Sequence, residues 1–177
     1  MPTTAANFTE SQLRGLRDRD RRNTAWHEAG HAIVAHHFGL DWNAYLRKNE
    51  DFSNPIEECY WAGQTRFHAA APRYGRTPPF RTCAISMAGA IAEMHAPGEV
   101  DLGGPIDEVI ADLWFLGVEN GFSDTDLEGI ACHRQKNRAF RVAVQVLGQH
   151  LDQLEALAHH LVQDDYCSRY MFETEVL

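Results

Sequence analysis

Apolar residues recur at helical spacing in the first and last parts of this chain, and a polar stretch punctuated by Asn, Gly and Pro separates them. In the first part Trp26, Ala29, Ile33, Val34 and Phe38 repeat every three to four residues. That spacing predicts a helix from about Asn23 or Thr24 to Phe38, with Gly39 as its stop. The residues before it are polar, and Thr9 or Ser11 is placed to cap a separate helix through about residue 20. Residues 41–79 lose the period. The β-like piece "YWAGQTRFH" at 60–68 predicts a hairpin or small sheet, followed by a loop through "APRYGRTPP".

From about residue 80 the helical pattern returns. "FRTCAISMAGAIAEMHA" forms one segment and "GGPIDEVIADLWFLGVENG" a second, with Pro105 suited to a first helical turn. "SDTD" at 123–126 reads as a capping box with Asp in place of Glu, so Ser123 starts another helix. Periodicity continues through "FRVAVQVLGQHLDQLEALAHHLV", and a short helix is expected near 168–175. The fold class is therefore mainly α (α+β), a helical bundle with a two- or three-stranded sheet near residues 43–70. Residues 1–8 are expected to be disordered and 9–177 to form a single domain.

Length and charge narrow the picture. The 177 residues suffice for one real core. A net charge of −9 argues against a nucleic-acid partner, which demands a cationic surface. The basic run "RGLRDRDRR" at 14–22 is interleaved with Asp18 and Asp20 and reads as a solvated helix face. Cys59, Cys83, Cys132 and Cys167 are scattered, with no C-x-x-C pair, so reduced thiols are expected. The first ten residues hold no apolar signal core, and the most apolar stretch, "AISMAGAIAEMHA", is too short to span a bilayer. These features predict a cytoplasmic protein without membrane contact.

Candidate chemistry concentrates in "TAWHEAGHAIVAHHFG" at 24–39. On a helix, residues four apart differ by about 40° around the axis and stand one turn apart. His27 and His31 can then aim imidazole nitrogens at one metal ion, while Glu28, on a neighbouring face, reaches a water on the metal without ligating it. Gly30 costs helix stability, about 1 kcal/mol against Ala, which is easier to understand if another backbone approaches there. A catalytic zinc needs a third protein ligand. His37 ends an H-E-x-x-H-x-x-G-x-x-H-like run, but Val34 stands where the helix-breaking glycine belongs, and a continuing helix turns His37 about 280° from His27. His36 and His37 otherwise read as helix C-terminal residues favoured by the dipole. Asp107, beside the apolar stripe Ile106, Val109, Ile110 and Leu113, is a second candidate, with a plain first-turn acid as the alternative reading.

The 24–39 stretch resembles the zinc-site helix of the FtsH family of ATP-dependent zinc metallopeptidases, whose hallmark is H-E-A-G-H-A. In order along the chain, "WAGQTRF" at 61–67 is similar to that family's substrate-side edge strand. "SMAGAIAEMHAPGEVDLGGPIDEVIADL" is similar to its A-A-E helix and the T-G-A-x-x-D-like turn after it, and "GVENGFSD" to its W-G-M-S segment. The resemblance implies a zincin-like fold, one Zn²⁺ per chain on His27, His31 and Asp107, and Glu28 as the catalytic base. It places Glu93 as an outer-shell partner of a ligand. Ala62, Gly63, Gln64 and Thr65 fall on the strand that would bind an extended peptide by main-chain hydrogen bonds. The chain departs from the family in having no Walker A sequence, no room for an ATPase module and no membrane anchor, and Leu102 and Pro105 replace polar residues in the turn before Asp107.

The expected function is a stand-alone zinc-dependent endopeptidase acting on unfolded or flexible polypeptides, with a separate ATPase as a possible partner. A non-catalytic metal-binding adaptor that keeps the peptidase fold is the alternative. The intact Glu28 weighs against it, because a purely structural site has no use for a base beside the metal.

Overall fold

The computed structural model describes residues 9–49, 60–68, 79–96, 126, 130 and 136–177. In chain order these form α1 (Glu10–His37), β1 (Asp41–Lys48), β2 (Trp61–His68), α2 (Pro79–Glu93), α3 (Lys136–Gln149), α4 (Leu151–Asp164) and β3 (Tyr166–Ser168). A single helical turn (Arg169–Met171) and a wider turn (Phe172–Val176) close the chain. The protein is mainly helical with a small antiparallel sheet of order β2-β1-β3. The expectations for residues 1–8, the loop through 72–79 up to the start of α2, the Pro105 helix with Asp107, and the Ser123 cap lie outside the described residues.

Two expected helices are one. α1 runs unbroken from Glu10 to His37. The Asn23–Thr24 step does not start a new helix, because the Thr24 hydroxyl bonds back to the Asp20 carbonyl at 2.9 Å, one turn earlier. The true start is at Thr9, whose side chain accepts from the Gln12 amide at 3.2 Å while the Gln12 side chain accepts from the Thr9 amide at 2.9 Å. This is a capping box with Gln in the third position. At the other end Gly39 takes φ +70°, and its amide and that of Leu40 satisfy the His36 and Ala35 carbonyls at 2.8 and 3.0 Å.

The N-terminal half of α1 is largely exposed, whereas Ala25–Ala35 is buried nearly all round. A helix buried on every face needs neighbours on every face. α2, α4, β1 and β2 supply them, and α3 covers α2. The closest approach is at Gly30, where a Cβ would lie 2.5 Å from both the Ala88 carbonyl oxygen and the Ala92 Cβ. The helix-weakening glycine in the motif therefore admits the backbone of α2.

β1 alternates buried Trp42, Ala44 and Leu46 with more exposed neighbours, as a half-buried strand does. It pairs with β2 over its whole length, from Asp41 opposite His68 to Lys48 opposite Trp61. The third strand comes from the far end of the chain, where Tyr166, Cys167 and Ser168 pair with Tyr45, Ala44 and Asn43. Next to it Phe172 is fully buried, with its ring 5.7 Å from that of Trp42. β2 lies at a sheet edge, and among the described residues no strand pairs with its outer side. It is fastened to α1 near its start, where the Asp20 carboxylate accepts from the Trp61 amide at 2.7 Å.

No helix of the described residues is long and apolar enough to cross a membrane. Cys83 and Cys167 are buried free thiols, and Cys59 and Cys132 lie outside the described residues.

Candidate metal centre

His27 and His31 stand one turn apart on the buried part of α1, with ring centroids 4.6 Å apart. Asp126, only 5 % exposed and with helical backbone, brings its carboxylate to both. Its two oxygens lie 3.1 Å from His27 Nε2 and 3.3 Å from His31 Nε2. Around a zinc ion with ligands near 2.0–2.1 Å, tetrahedral geometry separates neighbouring ligand atoms by about 3.3 Å. The observed N···O separations are compatible with that spacing, and His27, His31 and Asp126 form a buried group that could hold an ion.

The outer nitrogens fix the ring orientations. His31 Nδ1 lies 2.6 Å from the Ile85 carbonyl oxygen. A carbonyl only accepts, so Nδ1 carries the proton, and in the neutral ring Nε2 presents its lone pair to Asp126 and the ion position. His27 Nδ1 faces the Glu93 carboxylate at 2.5 Å, which serves the same purpose and adds negative charge behind the ligand. The resemblance places Glu93 as an outer partner of a ligand, and its carboxylate meets His27 on the side away from Asp126.

Electrostatics favour a cation at this position. Burial opposes a charge on His27, but its hydrogen bonds with Asp126 and Glu93, together with the field of Glu28, outweigh that penalty and hold its pKa well above the usual 6.5. Where no other cation is present, a proton on His27 partly neutralises the carboxylates. A divalent ion would do so more completely.

Space is reserved as well. α2 faces the pair of imidazoles with Gly89, where a Cβ would sit 2.5 Å from His27 Nε2 and 2.6 Å from His31 Nε2. Any larger residue would fill the cradle between the two donors. Two nitrogens and one carboxylate make a donor set that suits zinc.

Glu28 is 5 % exposed and turns towards β2. The Thr65 hydroxyl lies 2.7 Å from its Oε2 and 3.1 Å from its main-chain oxygen. A Cβ on Gly63 would lie 2.4 Å from Glu28 Cγ and Oε1. The alternation of β2 therefore points Gly63 and Thr65 at α1, while Gln64 is exposed and its side chain meets Tyr45 and Arg66.

Other candidates fall elsewhere. The exposed His37 packs against Phe38 and His150, and His36 against Phe172, so neither joins His27 and His31. Both sit in the last turn of α1, as helix-end residues do. Asp107 lies outside the described residues, and among the described residues Asp126 completes the group. The sequence pattern places Asp126 only as the last residue of the "SDTD" capping box. A carboxylate 99 positions from its partner histidine leaves no local spacing signal.

No family model matches the chain, and no curated protein matches it.

Proposed function

We propose that the protein is a zinc-dependent hydrolase that cuts peptide bonds in flexible or unfolded polypeptides. One observation carries the reading. A buried group of two histidines and one aspartate takes both histidines from α1, where the adjacent Glu28 is also buried and has its carboxylate held by a separate strand. Among the described residues three ligands converge, and three protein ligands would leave a zinc ion an open position, the arrangement of a catalytic rather than a structural site. Bound there, zinc would act as a Lewis acid that polarises a carbonyl and lowers the pKa of water towards about 7.

The chain's own residues supply the rest. His27, His31 and Asp126 would be the ligands, with Glu93 and the Ile85 carbonyl orienting the two rings. Glu28 takes the proton from water as its oxygen bonds to the peptide carbon, then delivers that proton to the nitrogen as the C–N bond breaks. The outer edge of β2 is suited to receive an extended chain through main-chain hydrogen bonds, with little demand on side-chain identity. Such a site admits flexible segments, so folded substrates would call for a separate unfolding ATPase. The resemblance of 24–39 to the FtsH family agrees with this reading.

Purified protein should contain about one zinc per chain, lost on His31→Ala. Glu28→Gln should keep the zinc and abolish cleavage of an unfolded protein such as casein. Zinc-loaded wild type that is as inert as the Glu28→Gln form, on unfolded substrates and with ATPase partners alike, would replace the peptidase reading with that of a metal-binding adaptor.

A further inference from the structure

Hydrogen bonds fasten β2 to α1 near its start and again at its middle. Near its start Asp20 holds the Trp61 amide, and four residues later Thr65 meets Glu28. From Asp20 to Glu28 the helix rises about 12 Å, and from Trp61 to Thr65 the strand extends about 13 Å. Helix and strand therefore run alongside each other in matched steps. The Thr65 hydroxyl has one hydrogen to give and two acceptors in reach, the Glu28 carboxylate at 2.7 Å and the Glu28 carbonyl at 3.1 Å. The shorter contact, to a charged acceptor, is the stronger one. Across from it, Gly63 leaves a notch that the Glu28 side chain fills.

We propose that Thr65 is a positioning residue for the Glu28 base: its hydroxyl, carried by the edge strand, holds Oε2 and fixes the carboxylate in one orientation, with Oε1 seated against Gly63. This rests on the peptidase reading above and deepens it. A glutamate side chain has three rotatable bonds, and a base adrift by an ångström loses rate steeply. Because the clamp sits on the strand whose outer edge would receive the substrate, one rigid element sets both the substrate's backbone and the base. Thr65 thus has a role beyond offering main-chain hydrogen bonds.

The test compares Thr65→Val, which removes the hydroxyl at constant shape, with Thr65→Ser, which keeps it. Thr65→Ala serves if the valine form does not fold. Thr65→Val is expected to keep its zinc and its KM for an unfolded peptide while kcat falls roughly tenfold to a hundredfold, the range seen when an outer partner of a site is lost. Thr65→Ser should recover most of that loss. An unchanged kcat in Thr65→Val, or a serine form as slow as the valine form, overturns the proposal. A crystal structure of metal-free Thr65→Val decides the point independently of turnover: the Glu28 carboxylate leaving the Gly63 notch supports the clamp, and a carboxylate that stays refutes it. Should zinc-loaded wild type cut nothing, the peptidase reading falls, and the same crystal structure still settles whether Thr65 positions Glu28.

Discussion

At the scale of single residues, the third ligand separates two assignments. The resemblance to a known family points to Asp107, and the geometry points to Asp126 at 3.1 and 3.3 Å from the two histidines. Asp126→Asn is expected to weaken zinc binding by more than about 100-fold, beyond what loss of an outer partner costs. Isothermal titration of Asp126→Asn and Asp107→Asn side by side checks this. A larger loss in the Asp107 variant would return the assignment to that residue. Gly89→Ala is expected to keep the helical circular dichroism signal yet fail to take up zinc, because the added methyl would lie about 2.5 Å from both donor nitrogens. His27, Glu28 and His31 were legible because a helix converts a four-residue spacing into shared direction. Glu93 was legible only through resemblance, and Asp126 was hidden, since the tertiary fold brings it to His27.

At the scale of elements, α1 and α2 meet through small side chains, and the glycine at their crossing is a packing residue. Gly30→Ala would gain about 1 kcal/mol in helix propensity. The new methyl group would lie 2.5 Å from the Ala88 carbonyl, so overpacking should cost about 1–3 kcal/mol and outweigh the gain. Chemical denaturation of Gly30→Ala should show a lower midpoint, and a stabilised variant would contradict the close approach. The pattern of the chain foretold α2, a helix ending at Gly39 and a strand at 60–68, because each has a sustained period or a strong stop. It misplaces a helix start at Asn23–Thr24, where the apolar period begins although nothing there interrupts the helix. It also missed β3, since three residues are too few for alternation to register. Burial of that strand has a chemical signature: the Cys167 thiol is pushed up to about 12 by burial and by the nearby Glu175 and Asp164 carboxylates. Cys167 should resist alkylation near neutral pH in the folded protein and react once denaturant opens the sheet. Mass spectrometry of the alkylated peptides reads this directly.

At the scale of the whole molecule, an ion held by His27, His31 and Asp126 would tie stability to both metal and pH. Zinc at about 100 times its Kd adds about 2.7 kcal/mol to the folded state. For a chain of this size that raises Tm by roughly 5–10 °C, a gain that a chelator should reverse. In the metal-free protein the raised His27 pKa means that the folded state binds this proton more tightly than the unfolded chain does. That contribution is complete below the usual 6.5 and drains away as pH climbs through the raised value. The metal-free Tm of wild type relative to His27→Gln should therefore fall as pH climbs from the usual 6.5 through the raised value, while zinc affinity rises as protons leave the ligands. A Tm difference that widens with pH would contradict the charge arrangement.

The paired anchors between α1 and β2 also govern slippage. Side chains alternate along a strand, so a shift of β2 by one position would turn Thr65 away from the helix and bring Gln64 towards it. The same shift would pull the Trp61 amide off Asp20. Sliding is thereby locked out, and separation of strand from helix has to break both fastenings together. The distance from the outer edge of β2 to the Glu28 carboxylate is then an all-or-none property: it should persist unchanged on warming until the sheet itself comes away.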